Sequence, residues 1–151
     1  MARVLRIQND FLALRKMSAW LEEAGVALHL PAPQRFEFDL VANEAVTNII
    51  SYGYPGGRAG EIKLSFGVTH GVVSLEIEDD GRPFNPLEIE PRHAPDGLDD
   101  AEIGGLGIHL IRMTMAECEY RVRVDRNVFT LRSPLADEQS TEPKPAVKKK
   151  G

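Results

Sequence analysis

Three short stretches of the sequence carry residue types whose spacing could do chemistry. In NEAVTNIISYGY, residues 43–54, Glu44 and Asn48 stand four positions apart. Residues i and i+4 stack on one helix face, so the acid and the amide would form a polar pair beside the apolar Val46, Ile49 and Ile50. In VVSLEIEDDGRPFNP, residues 72–86, Val73, Leu75 and Ile77 alternate with polar residues, and Asp79 continues their inward parity. A carboxylate facing a core needs a hydrogen-bonding partner, because burying it unpaired is costly. Gly81 and Pro83 follow in a turn where backbone can approach a ligand closely; the plainer alternative is an aspartate capping its own turn. The third stretch, Gly104-Gly105-Leu106-Gly107-Ile108, opens a helix. Free N–H groups and the positive dipole end make such a start an anion site. Two specific phosphate motifs are excluded. The segment follows a loop and has Leu110 where a dinucleotide fingerprint needs a small residue, and it lacks the Gly-Lys-Ser/Thr of a Walker A loop.

The elements that must position these residues follow from periodicity. RVLRIQ (3–8) reads as a strand. Asn9 or Asp10 caps a helix with Phe11, Leu14, Met17, Leu21 and Ala24 on its apolar face, ending at Gly25. A second helix starts near Pro33, carries Phe36, Leu40, Ala45 and Ile49, and is broken by YGYPGG. EIKLSFGVT and VVSLEIEDD read as strands joined at His70-Gly71. A Pro-, Gly- and Asp-rich loop of more than twenty residues runs from about Asp80 to Ile103, and loops that long are usually functional. After the third helix, ECEYRVRVD and NVFTLRS form a closing hairpin around Arg126. Helices followed by antiparallel strand pairs predict an α+β two-layer sandwich, with helices on one face of a mixed, mostly antiparallel sheet.

Residues 134–151, PLADEQSTEPKPAVKKKG, lack aromatics and hydrophobic periodicity and read as a disordered tail, leaving a single domain over 1–133. The net charge of −5 speaks against a dedicated nucleic-acid binder. The lone Cys118 excludes an intrachain disulfide and suits a reducing compartment. No apolar leader or bilayer-length segment is visible, so the expected location is cytoplasmic, away from membranes. His29, His70, His93 and His109 show no metal-ligand spacing.

Taken in order, the three stretches resemble the boxes of the GHKL ATPase superfamily, which includes gyrase, Hsp90 and histidine kinase catalytic domains. They are most similar to its anti-sigma factor serine/threonine kinase branch. NEAVTNIISYGY resembles the asparagine box, IEDDGRPFNP the first glycine box and GGLGIHLIRMTM the second. The resemblance implies a histidine kinase-like ATP-binding domain that uses ATP and Mg2+. It implies Asn48 as the Mg2+ ligand and Glu44 as the general base. By the same resemblance, Asp79 accepts the adenine amino group and Gly81 lets the base lie against the backbone. Gly104, Gly105, Gly107 and Ile108 hold phosphates, loop 82–103 is the ATP lid, and Thr130 either reaches the adenine through water or is an ordinary strand threonine. Asn43 is either a surface residue or a second polar ligand. The expected function is phosphorylation of an anti-anti-sigma antagonist protein, with a sigma factor as the other partner and a homodimer as the assembly. The alternative is a module that binds a partner when ATP is present but transfers no phosphate. No phosphoacceptor histidine on a helix pair accompanies the domain, which speaks against a complete histidine kinase.

Overall fold

A computed structural model describes residues 2–88 and 103–137, with only the backbone described for 103–106. The central part of the expected lid and residues 138–151 of the expected tail lie outside the described residues. In chain order the elements are β1 (Arg3–Gln8), α1 (Ala13–Ala27), α2 (Ala32–Gly53), β2 (Glu61–Thr69) and β3 (Val72–Asp79), then α3 (Ile103–Thr114), β4 (Glu117–Arg123) and β5 (Arg126–Pro134). The sheet order is β1-β2-β3-β5-β4. All four pairings are antiparallel, so the described sheet has no parallel component.

Strict alternation makes the sheet two-faced. Ile62, Leu64 and Phe66 of β2, Val73, Leu75 and Ile77 of β3, and Phe129 and Leu131 of β5 are buried on one face. The helices cover that face through Met17, Leu21, Phe38, Val41 and Ile111, and Phe66 packs against Phe38 (5.3 Å between ring centres) and Trp20 (6.2 Å). Full burial of such side chains is worth about 1.5–3 kcal/mol each, so this layer contact holds the fold. The opposite face carries ion pairs, among them Arg121–Glu76 at 3.3 Å and Arg126–Glu78 at 2.9 Å.

Several expectations shift. Asp10 accepts the Ala13 N–H at 3.1 Å, so it assists the start of α1. Phe11, expected on the apolar face, precedes the helix and is exposed. On α2 the core phenylalanine is Phe38, whereas Phe36 is 66% exposed. α2 begins with Pro33 in its first turn, where a missing N–H costs nothing. The β4–β5 turn centres on Val124-Asp125, both at positive φ, and Arg126 is already paired with Arg123. The domain also extends past 133. Pro134 ends β5, Leu135 N–H donates to the Gly71 carbonyl, and the buried Gln34 amide bonds both Pro134 O and Ala136 N. The first residues assigned to a disordered tail are therefore strapped to α2.

Candidate functional site

β3 ends beside the start of β5, and the C-terminal end of α2 closes over both. Asp79 pairs in register with Asn127, so both side chains leave the same face of the sheet. Asp79 Oδ1 accepts from Gly81 N at 2.8 Å and from Asn127 Nδ2 at 2.9 Å. The Asn127 amide also donates to the Gly81 and Arg82 carbonyls, each at 3.1 Å. Its own Oδ1 receives the Tyr120 hydroxyl at 2.6 Å, and that hydroxyl accepts the Phe84 N–H at 3.3 Å. Burial pushes the Asp79 carboxyl above its usual range, while the donations from Asn127 and Gly81 pull it back down. Asp79 thus has the partner its inward parity required. That partner is an amide.

Gly81 is demanded by the fold itself. A Cβ there would lie 2.6 Å from the Gly53 carbonyl oxygen and 3.0 Å from its carbon. Arg82 N–H donates to the same oxygen at 2.8 Å, and Arg82 Nε reaches the Tyr52 carbonyl, also at 2.8 Å. The space expected to admit a base against Gly81 is filled on that side by α2. The neighbouring Asp80 faces the other way and accepts from the buried Tyr54 hydroxyl at 2.8 Å, which holds its carboxyl below the usual range. Between these elements lies a narrow cleft lined by Ile49, Gly53, Asp79, Phe84, Asn127 and Phe129. Tyr52 and Phe84 stack beside it at 5.2 Å.

The other end of the site lies between α2 and α3. Asn48 is 4% exposed, and its Nδ2 finds no hydrogen-bonding partner among the described residues. One turn earlier, Glu44 lies against α3: a Cβ on Gly107 would sit 2.6 Å from Glu44 Oε1. The structure therefore brings Glu44 and Gly107 together, with Asn48 next along the same helix stripe. The helix begins at Ile103, so the N–H groups of Gly107 and Ile108 fall within it, and the free ones belong to its first turn, where Gly104 and Gly105 stand. Ile108 is buried in the core and offers no side chain to a ligand.

Two further expectations are corrected. Thr130 pairs with Glu76 and stands an odd number of residues from Asn127, which places it on the opposite face of the sheet from Asp79. It cannot contact a base bound at Asp79. Asn43 donates to Ser18 Oγ at 3.1 Å and to Asp39 O at 2.8 Å, bracing α2 against α1 instead of meeting a ligand.

A model of the histidine kinase-like ATPase domain matches residues 7–133. The chain belongs to this family. It is 35% identical over 119 residues to serine/threonine-protein kinase BtrW of Bordetella bronchiseptica, covering 79% of this chain and 84% of that one. To serine-protein kinase RsbW of Bacillus licheniformis it is 28% identical over 99 residues, covering 61% of this chain and 59% of RsbW, less than two thirds of that relative. Among solved structures it is similar to the RsbU and RsbW domains of a Mycobacterium tuberculosis protein, with a TM-score of 0.60 and 17% identity. That match covers 88% of this chain and 32% of the other, and at this identity it speaks for the fold.

As a histidine kinase-like ATPase domain, the chain has groups suited to ATP and Mg2+. Asn48 Nδ2 is a buried donor without a partner among the described residues, suited to a phosphate oxygen, and a cation would use the carbonyl oxygen of the same amide. The missing side chain at Gly107 leaves room for the Glu44 carboxylate against α3. Mg2+ commonly needs only one or two protein oxygens and completes its shell with phosphate oxygens and water. Asn127 and Tyr120 escaped the sequence reading, although a signal existed. Asn127 has the inward parity of Phe129 and Leu131, and a polar residue on that parity is the same mark that singled out Asp79.

Proposed function

We propose that the chain is a protein serine/threonine kinase of the anti-sigma type, which phosphorylates an anti-anti-sigma antagonist and binds a sigma factor as its alternative partner. The observation that carries this reading is Glu44. A half-buried carboxylate held over Gly107, one turn from Asn48, whose Nδ2 has no partner among the described residues, supports a role at the reacting end of a nucleotide. The names of the relatives BtrW and RsbW, both protein kinases, support it.

In this reading Asp79 accepts the adenine amino group, and the first turn of α3 faces the phosphates. The carbonyl oxygen of Asn48 would supply the protein ligand to Mg2+, which when bound neutralises phosphate charge. Glu44 takes the proton from the attacking serine or threonine hydroxyl of the antagonist as that oxygen bonds to the γ-phosphorus, whose bond to the bridging oxygen breaks to release ADP. Phosphoryl transfer asks a protein mainly for positioning and charge neutralisation, plus one group that orients the nucleophile. The chain acts away from membranes as a homodimer.

The test is transfer of labelled phosphate from ATP to candidate antagonist proteins, sought first among the products of neighbouring genes. Stoichiometric labelling of one antagonist hydroxyl is expected. Capture of the antagonist only in the presence of ATP, with no label transferred, would replace the kinase by an ATP-dependent binding module.

A further inference from the structure

The hydrogen bonds around Asp79 form a relay along the wall of the cleft. Phe84 N–H donates to the Tyr120 hydroxyl, Tyr120 donates to Asn127 Oδ1, and Asn127 Nδ2 donates to Asp79 Oδ1. The direction of each link is set by chemistry. Asn127 Nδ2 faces three acceptors, Asp79 Oδ1 and the carbonyls of Gly81 and Arg82. Turning the amide over would set its oxygen against all three. Its Oδ1 needs a donor, and Tyr120 is the only side chain among the described residues shown giving it one. Tyr120, on β4, is joined to the Asn127 side chain on the neighbouring β5 through its hydroxyl.

We propose that Tyr120, acting through Asn127, is a positioning residue for nucleotide selection: it fixes the Asn127 amide so that Asp79 remains an acceptor and selects a base that offers an amino group. The inference rests on the reading of Asp79 as the base-binding acid. Two donors converge on Asp79 Oδ1, and donors favour the ionised carboxylate, which can only accept. Burial works against them by favouring the protonated acid. A protonated carboxyl carries an O–H and can donate to a carbonyl, so it would admit a 6-keto purine. Without the Tyr120 hydroxyl, Asn127 Oδ1 is left buried with no donor and the amide loses its anchor. Asp79 then loses part of the donation that holds it ionised, and the distinction between amino and keto bases narrows.

The probes are ATP and inosine triphosphate, which differ at the base in the amino or keto group at position 6 and in the N1 proton that the keto form carries. Affinities are measured for the wild type, Tyr120→Phe, Asn127→Ala and the double variant. Tyr120→Phe retains the ring that packs against the core. Wild type is expected to prefer ATP, and Tyr120→Phe to narrow that preference about tenfold, the scale of one buried hydrogen bond. Asn127→Ala should narrow it at least as far, and the double variant no further than Asn127→Ala alone, because Tyr120 acts through Asn127. Equal weakening of both nucleotides by Tyr120→Phe, or full additivity in the double variant, would overturn the proposal while leaving the role of Asp79 intact. A wild type that binds both nucleotides equally would overturn the reading of Asp79 and the proposal with it.

Discussion

Asp79 and Asn48 are both buried polar side chains at the same end of the molecule, yet their surroundings differ. Asp79 Oδ1 has two donors, and the amide that supplies one of them is itself held from three sides. Asn48 Nδ2 has no partner among the described residues, and Glu44 beside it rests over a glycine. The first end is organised by the protein itself. The second leaves hydrogen-bonding capacity open, which a buried group does at a cost of about 1–3 kcal/mol unless something else satisfies it. The contrast matches two tasks. A base must be recognised by a fixed pattern, whereas phosphates and a cation bring their own strong groups to complete the shell.

The largest expected effect lies at the open end. Glu44→Gln retains the side-chain shape but removes the proton acceptor, so phosphate transfer should slow by about 10²–10⁴-fold while Mg-ATP affinity stays within a few-fold. Transfer at the wild-type rate would make Glu44 an ordinary helix residue. At the organised end, Asp79→Asn should weaken ATP binding by roughly ten- to hundred-fold in calorimetric titration, because its new amide donor would meet the donor on the base. The same variant carries a pH signature. Asp79 is raised in the fold, so the folded state holds its proton more tightly than the unfolded chain does. Its contribution to stability is full below the unfolded carboxylate range and is lost as pH climbs through the folded value. Asp79→Asn should flatten that part of the melting-temperature profile; an unchanged profile would show that Asp79 titrates normally.

Gly81→Ala tests how rigid the organised end is. The new methyl would meet backbone on α2, which cannot swing aside, so a loss of about 1–3 kcal/mol is expected in denaturant unfolding. An unchanged midpoint would mean that α2 yields freely there. The smallest effect should come from the β4–β5 turn, where Val124 is β-branched, exposed and at φ 51°. Replacing Val124-Asp125 by Asn-Gly suits a turn with two positive φ angles and should raise stability by about 1 kcal/mol. ATP affinity should stay the same. A change in affinity would extend the nucleotide site to the hairpin tip.

Strand patterning was the most legible part of the fold. β2 spans the nine residues its alternation marked, and Asp79 points inward as parity required. Helix faces were less legible. Phe36 and Phe38 are equally apolar, and only the packing of α2 on Phe66 decides that Phe38 enters the core. The strap at 134–136 rests on backbone hydrogen bonds and one glutamine, neither of which leaves a compositional trace. In the site, the placing of Glu44 and Asn48 on one helix stripe and the inward turn of Asp79 are legible from type and spacing. The outward parity of Thr130 and the inward parity of Asn127 become legible only when the period-two rule is carried from β3 to its partner strand β5.

The position of β5 in the sheet has a consequence for synthesis on the ribosome. It is the last strand to be made, yet it lies between β3 and β4, so β4 has no neighbour in the sheet until β5 arrives. A nascent chain that has emerged only as far as Val122 has Asp79 at the end of a strand with a bare edge, because Asn127 does not yet exist. Exposed strand edges of that kind are where growing chains pair wrongly. The end of the cleft that holds Asp79 is thus completed near the end of translation, and if nucleotide binds there as proposed, its first capture would report that the whole sheet has closed.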